Sequence, residues 1–495
     1  MMTTLVSSPA KLTRRPRKER DVATGHLLAI IPRGEVVRNF IYTGCLEQIA
    51  KETKLSLMSV ELGAEIDGLL RDTSDHVYQL EEIQERWIVR FQREILDVAH
   101  GRWLWSAAAK ERWRLRDNEA KTIREKAVRL AKKSIGIPLG NKTGLKILSR
   151  TERMSSFLLK STERYLDLYK EIKPSLVFNG SHIHSRNSIQ AVQAAQWLGI
   201  PTATFVFSWD NLTSQGRITL PYDYFLVWNE SIKQQLLQMY SWVRPENVFV
   251  TGTPQFDFHF REEFYLSREE YCKKIGADTQ RPIVFYATGM ANHMPGEPEI
   301  VEAIADMLAD SAVFPQRPQF VVRVYAKDMT GRFDELKQRR PDILFPHVPW
   351  SPSWLTPKSE DSVMLVNALR HCAFGINVAS TLSLELCMFD KPVINVGYNP
   401  PNVKEEILSY SDYYEFDHYK PVVDSGAVRV AGSPGEMKEM MAKYLSDPLQ
   451  HSGERKRIID RMFGDTLDGA SSSRVAEVLL RLSRKQGGAE RWNMS

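Results

Sequence analysis

The stretch from Ala373 to Gly397, AFGINVASTLSLELCMFDKPVINVG, constrains the fold more than any other part of the chain. Phe374 to Val378 is a short apolar run of strand length. Ser380 is a natural helix N-cap, and Thr381 to Phe389 carries helical spacing, with Leu382, Leu386 and Phe389 on one stripe. Asp390, Lys391 and Pro392 stop that helix, and Val393 to Val396 reads as the next buried strand. Strand, helix, strand in this order predicts a right-handed crossover within a parallel sheet. Thr381 and Glu385, four apart, share the face beside the apolar stripe. A ligand at the strand's carboxyl end would meet backbone N–H groups of Ser380 to Ser383, two hydroxyls and, one turn deeper, a carboxylate. That layout suits a nucleoside diphosphate, with phosphates on the helix start and ribose hydroxyls on the acid. It equally suits an ordinary βαβ unit with a serine cap and a surface glutamate.

A chain of 495 residues is too long for one usual core, and two or three domains are expected. No uninterrupted apolar run reaches the roughly 18 residues that span a bilayer, and the N-terminus lacks an apolar signal core, so the expected location is the cytoplasm. Cys45, Cys272, Cys372 and Cys387 are scattered without CxxC spacing, which points to buried thiols and away from a disulfide framework or a zinc site. The net charge of +5 is unevenly spread. Residues 1–25 hold six Lys/Arg against Glu19 and Asp21, and residues 102–150 hold fourteen against Glu111, Asp117, Glu119 and Glu125, leaving the remainder of the chain acidic. A basic insertion on an acidic body points to an anionic partner, a membrane surface or a phosphate-bearing acceptor. No nucleic-acid motif accompanies it.

Residues 1–25 read as a disordered basic tail and 483–495 as a second tail. The strand Leu27–Ile31, the turn Pro32-Arg33-Gly34, a helix from Val36 to Lys51 and the strand Leu55–Val60 open a doubly wound domain, with Arg33 at a strand's carboxyl end. Residues 76–150 interrupt it with long helical patterns in which Trp87, Phe91, Trp103, Trp105 and Trp113 alternate with Lys and Arg. Such a pattern suits an interfacial helix on anionic lipid, or an insertion whose tryptophans pack inward while its charges are solvated. The alternation resumes with strands Leu176–Asn179, Thr202–Phe207, Tyr224–Trp228 and Val248–Val250. The first domain is placed at 26–265 and a second at 275–482, beginning with the strand Ile283–Ala287.

STLSLELCMFDKPVINV resembles the donor-binding signature of GT-B glycosyltransferases, and the order of other motifs agrees: SWDN after a GIPT strand, VTGTPQFD at the domain junction and DGASSSRVA near the end. Together they resemble bacterial surface-polysaccharide transferases related to capsule and teichoic-acid enzymes. The resemblance implies an α/β GT-B fold, two Rossmann-like domains facing across a cleft. It implies that Glu385 binds the donor's ribose, that Ser380, Thr381 and Ser383 bind its diphosphate, and that Thr288 and Gly289 line the same pocket. Related enzymes carry Arg-x-His-Pro where this chain has Arg323-Val324-Tyr325-Ala326, so a histidine role is lost there, leaving Arg323 and Lys327 as phosphate partners.

The chemistry then expected is metal-independent glycosyl transfer from a nucleotide-sugar donor to a glycan or lipid-linked acceptor, at the inner face of the plasma membrane, with no cofactor and no nucleic acid. Helix dipoles and basic side chains would take the charge of the leaving diphosphate, and no Asp-x-Asp clamp is present. An inverting reaction needs a general base in the first domain. Asp210 in SWDN and His182 are the leading candidates, with His184 and Glu35 behind them. Asp210 also suits a turn cap, the histidines loop packing, and Glu35 a helix cap. Two alternatives stand beside transfer: a nucleotide-sugar 2-epimerase on the same fold, whose expected Gly-Gly and paired Glu-Glu are missing at this helix start, and a non-catalytic nucleotide-sugar-binding protein.

Overall fold

The computed structural model describes residues 25–60, 63–82, 85–159, 162–183, 186–214, 217–401 and 408–484. His184, the N-terminal tail except Gly25 and the C-terminal tail from 485 onward lie outside the described residues. The first sheet comprises β1 (His26–Ile31), β2 (Lys54–Ser59), β3 (His76–Gln79), β4 (Leu176–Asn179), β5 (Thr202–Phe205), β6 (Tyr224–Val227) and β7 (Val248–Val250). Its order is β3-β2-β1-β4-β5-β6-β7. All neighbours are parallel, with Leu27 facing Leu55 on one side and Leu176 on the other. Every residue of β1 and β4 is buried, which is why these strands read as continuous apolar runs and not as alternations.

The second sheet comprises β8 (Ile283–Ala287), β9 (Gln319–Arg323), β10 (Ile343–Leu344), β11 (Phe374–Asn377), β12 (Val393–Val396) and β13 (Arg429–Ala431), in the order β10-β9-β8-β11-β12-β13 and again all parallel. In each sheet the winding reverses once, between β1 and β4 and between β8 and β11. Open α/β sheets bind ligands outside the carboxyl ends of the two strands at such a reversal. The loops in question begin at Pro32 and Gly180 in the first unit, and at Thr288 and Val378 in the second.

Several elements differ from the sequence expectation for identifiable reasons. The helix expected over Val36–Lys51 is broken into a turn at Glu35–Val37, a π-helical stretch Arg38–Tyr42 and α1 (Cys45–Glu52), because Gly44 takes a left-handed φ of 79° and the Thr43 hydroxyl bonds back to the Asn39 carbonyl. His76–Gln79, expected as helix, is the edge strand β3. The long loop expected over 341–360 holds three two-residue strands. The insertion itself is four helices, α2 (Trp87–Leu104), α3 (Ala107–Glu119), α4 (Ile123–Gly136) and α5 (Lys142–Leu158), with α4 and α5 both packed on α2.

By contacts the chain forms two compact units. Among the described residues one holds 25–257, 352–356 and 470–484, and the other 258–351 and 357–469. The last helix, expected in the second domain, therefore belongs to the first. This helix, α8 once α6 (Glu297–Leu308) and α7 (Leu382–Met388) are counted, spans Ser471–Arg484 and buries Val475, Ala476, Leu479 and Leu482 against α1, β1 and β4.

Candidate functional site

In the second unit the site residues stand at the switch between β8 and β11. α7 lies close on β11: a Cβ at Gly375 would come within 2.2 Å of a Leu386 methyl. Glycine is therefore required for the approach that brings Thr381 and Glu385 to the strand end. The turn between strand and helix contains Ala379 in a left-handed conformation, φ 38°.

The anion cradle expected from the amides of Ser380–Ser383 is largely used up within the turn. Ser380 N donates to Asn377 Oδ1 (3.3 Å), Leu382 N to Ser380 Oγ (3.2 Å) and Ser383 N to the Ser380 carbonyl (3.0 Å). Ser383 is itself fully buried. Its hydroxyl donates to Asn377 Oδ1 (3.0 Å), accepts from Asn395 Nδ2 (3.2 Å) and lies 2.7 Å from Tyr419 Oη. Ser383 thus ties β11, α7 and β12 together and is a positioning residue, not a phosphate donor. Ser380 and Thr381 remain half-buried at the turn.

Glu385 is half-buried, and its Oε2 lies 2.8 Å from Nε2 of His259, a buried residue of the 3₁₀ segment Pro254–Phe260. The imidazole leans on the Phe389 ring, 5.4 Å between centroids, and its backbone carbonyl accepts the Tyr265 hydroxyl at 2.5 Å. Among the described residues the other carboxylate oxygen, Oε1, takes no hydrogen bond. One oxygen is anchored and one is open, which is a geometry for receiving a diol. His259 was missed in the sequence; its only signal was its place two residues beyond VTGTPQFD.

At β8 the Thr288 hydroxyl accepts the Tyr325 amide (2.8 Å). The Gly289 amide donates to both oxygens of Glu297 at the start of α6 (3.0 and 2.9 Å). Glu297 is fully buried and also receives the Tyr286 hydroxyl and an Arg332 N–H, each at 3.0 Å. Burial pushes its carboxyl up to about 7, against the opposing pull of Arg332 and the Gly289 amide. Arg332 also holds the Gly289 carbonyl (3.0 Å) and Asp328 (2.6 Å), so the Glu297–Arg332 pair fixes the loop after β8. Neither residue was singled out in the sequence. Arg323 is committed to Asp361 by Nη2, 2.8 and 3.0 Å from its two oxygens, and Asp361 accepts the Trp350 indole N–H as well (2.7 Å). That pair makes Arg323 a scaffold residue; Lys327, four residues on, is half-buried.

In the first unit Asp210 caps the one-turn helix Asn211–Ser214. Its Oδ2 accepts the Ser214 hydroxyl (2.5 Å), and its carbonyl accepts the Thr213 and Ser214 amides. His182 is buried, with Nδ1 3.2 Å from the Phe205 carbonyl. Glu35 is buried and paired with Arg33 (Nε to Oε2 2.9 Å), whose guanidinium lies 4.8 Å from the centre of the Phe207 ring. Three strand ends, of β1, β4 and β5, thus carry the Arg33–Glu35 pair, His182 and Asp210. Two other motifs meet in the same unit: Asp257 of VTGTPQFD accepts the amides of Ser471 (3.0 Å) and Ser472 (2.7 Å) of DGASSSRVA, and Arg474 Nε donates to the Thr251 carbonyl (2.9 Å). These motifs build one helix cap.

No protein-family model and no curated protein matches the sequence. Among solved structures, the UDP-GlcNAc 2-epimerase of Neisseria meningitidis bound to UDP-GlcNAc aligns over 92% of this chain and 99% of its own, with TM-score 0.51 and 13% identity. A further UDP-N-acetylglucosamine 2-epimerase aligns over 95% and 99%, with TM-score 0.50 and 12% identity. The S. aureus MnaA–UDP co-structure aligns over 93% and 98%, with TM-score 0.50 and 13% identity. At these identities the likeness is one of fold, and the chain shares with those proteins a GT-B-like architecture of two parallel-sheet Rossmann-like α/β domains.

Proposed function

We propose that the protein is an enzyme acting on a nucleotide sugar, and that it isomerises the sugar in the manner of a 2-epimerase. The observation that carries the nucleotide-sugar reading is Glu385, anchored by His259 through one oxygen and open at the other, at the switch point of the second sheet. Its carboxylate would bind the ribose diol, with Ser380, Thr381 and Thr288 hydroxyls and Lys327 directed at the diphosphate. The fold likeness to UDP-GlcNAc 2-epimerases supports isomerisation over transfer. One group removes the C2 proton as the C1–O bond to the nucleoside diphosphate breaks, and the C–H electron pair forms a C1=C2 double bond. The diphosphate then adds back at C1 while a second group protonates C2 on the opposite face. Asp210 and His182 are the proposed pair. No cofactor is invoked, and the nucleotide sugar is the substrate.

Transfer is the second reading, and a specific position favours it. The residue after Glu385 is Leu386, fully buried against Gly375, so the paired glutamates expected of a 2-epimerase have no place here. In that reading the acceptor is a glycan or lipid-linked saccharide of surface-polysaccharide synthesis. Incubating the protein with UDP-GlcNAc in D₂O without acceptor separates the two. Deuterium at C2, abolished by Asp210→Asn or His182→Ala, is the expected result. Nucleotide binding with no exchange, but with UDP release once an acceptor extract is added, favours transfer. Binding with neither marks a non-catalytic protein.

A further inference from the structure

Of the tryptophans in the insertion, Trp87 at the start of α2 is 70% exposed, while Trp105 and Trp113 are partly covered by cations. Trp105 lies beneath Arg102 and Lys110, and Trp113 beneath Arg129 and Lys133, each cation 4.8 to 5.9 Å from the ring centre. The longest runs of exposed apolar side chains lie on α4 and α5. The inner face of α5 is fixed by Glu152, buried in an ion pair with Arg93 of α2 (2.6 Å), and by buried Ser156. Opposite that face Ile147, Thr151, Met154 and Leu158 recur at i, i+4, i+7 and i+11, and the three apolar ones are 52%, 53% and 67% exposed. α4 presents Ile123 and Leu130, 89% and 65% exposed, with Ala127 between them.

The charge around these stripes has one sign. Residues 121–158 hold ten Lys/Arg against Glu125 and Glu152. Glu152 is buried, and Glu125 is engaged in a capping box with Thr122. Among the described residues none of Arg124, Lys126, Lys142, Lys146 and Arg150 is in an ion pair, and all five are exposed. Lys142, Lys146 and Arg150, four apart, run along one flank of the α5 stripe. Clustered exposed aliphatic side chains on a soluble surface mark an interaction site. Two-fold pairing of this face with the same face of a second copy would bring cations against cations with no free carboxylate between them, and a nucleic acid would leave the aliphatic stripe exposed to water. An anionic bilayer answers both features: stem and stripe enter the headgroup region while the cations meet lipid phosphates.

We propose that the outward faces of α4 and α5 dock the protein on anionic phospholipid membranes. The proposal does not depend on the nucleotide-sugar reading, since vesicle binding is read without turnover. The full chain is floated with vesicles of phosphatidylcholine alone and with about a third phosphatidylglycerol, at low salt and at ~0.5 M, where screening shortens the reach of charge. At least roughly tenfold stronger binding to the anionic vesicles, lost at high salt, is expected. Lys142→Glu/Lys146→Glu/Arg150→Glu should lower that binding by on the order of 100-fold. Ile147→Ser/Met154→Ser/Leu158→Ser should lower it with the salt dependence retained, each variant keeping the wild-type circular dichroism and melting midpoint. Equal binding to neutral and anionic vesicles, no binding at low salt, or tighter binding to duplex DNA or RNA overturns the proposal. So does a solution dimer that the serine triple variant dissociates.

Discussion

At the scale of single residues, burial sets two carboxylates apart: Glu297 is fully enclosed by its partners, while Glu385 is only half-buried. Glu385 keeps one oxygen open beside His259. Glu385→Ala is expected to weaken binding of a nucleoside diphosphate by about 10-fold or more, the effect of losing a hydrogen bond to a charged group. It should also lower stability by about 1–3 kcal/mol, because it leaves the buried His259 imidazole without its acceptor. Calorimetric titration of UDP and a thermal melt read the two effects separately, and unchanged affinity in a folded variant refutes the ribose assignment. Glu297 is raised to about 7 by burial and stays protonated in the fold at pH values where the unfolded chain has ionised. Its contribution is therefore full below about 4.5 and is lost as pH rises toward about 7, a swing of roughly 3 kcal/mol. Buried His26 and His100, lowered to about 4 and about 3 chiefly by burial, act with the opposite sign across part of the same range. The measurement is therefore a difference: urea midpoints from pH 5 to 8, in which Glu297→Gln should remove a downward slope that the wild type carries.

At the scale of elements, the strand–helix–strand unit around α7 tests whether a hydroxyl serves ligand or framework. Asn377, Ser383, Asn395 and Tyr419 are all buried and mutually hydrogen-bonded, so Ser383→Ala strands several polar groups at once. It should cost about 1–3 kcal/mol of stability while leaving UDP affinity within about twofold in the folded protein. Ser380→Ala, at the half-buried turn, should do the reverse; denaturant melts paired with titrations decide it. This unit was legible from sequence because Phe374–Asn377 and Val393–Val396 are mostly apolar runs of strand length, each with a single asparagine, bounded by a polar turn and a proline. The partners of Ser383 were not legible, since Tyr419 is 36 residues away and no local pattern couples them. The same limit hid His259, 126 residues before Glu385. The broken helix after β1 was hidden for a different reason: its apolar spacing continues through Gly44, and the π-helical stretch, the Thr43 hydroxyl bond and the left-handed backbone at Gly44 interrupt it without changing that spacing.

At the scale of the whole molecule, the chain leaves its first unit at Asp257, rejoins it briefly over Pro352–Thr356 and closes it from Ala470 onward. The alternation of strands and helices could not show this, because a closing helix reads alike wherever it docks. What records the return is the pairing of two motifs: the Asp257 carboxylate caps the first two amides of α8, at 3.0 and 2.7 Å, and is itself buried. α8 then buries Val475, Leu479 and Leu482, each side chain contributing about 1.5–3 kcal/mol, a sum comparable with the net stability of a domain. Loosening the cap should therefore be felt by the first unit's core and not by the second. Asp257→Ala removes two charge-assisted bonds and is expected to cost roughly 2–4 kcal/mol. Hydrogen exchange followed strand by strand reads where that cost falls. Amides of β1 and β4, which α8 covers, should lose protection by about two orders of magnitude or more, while those of β8, β11 and β12 keep theirs and UDP affinity stays unchanged. Equal loss of protection in both sheets would mean that the two units open as one, and that α8 is not a private element of the first.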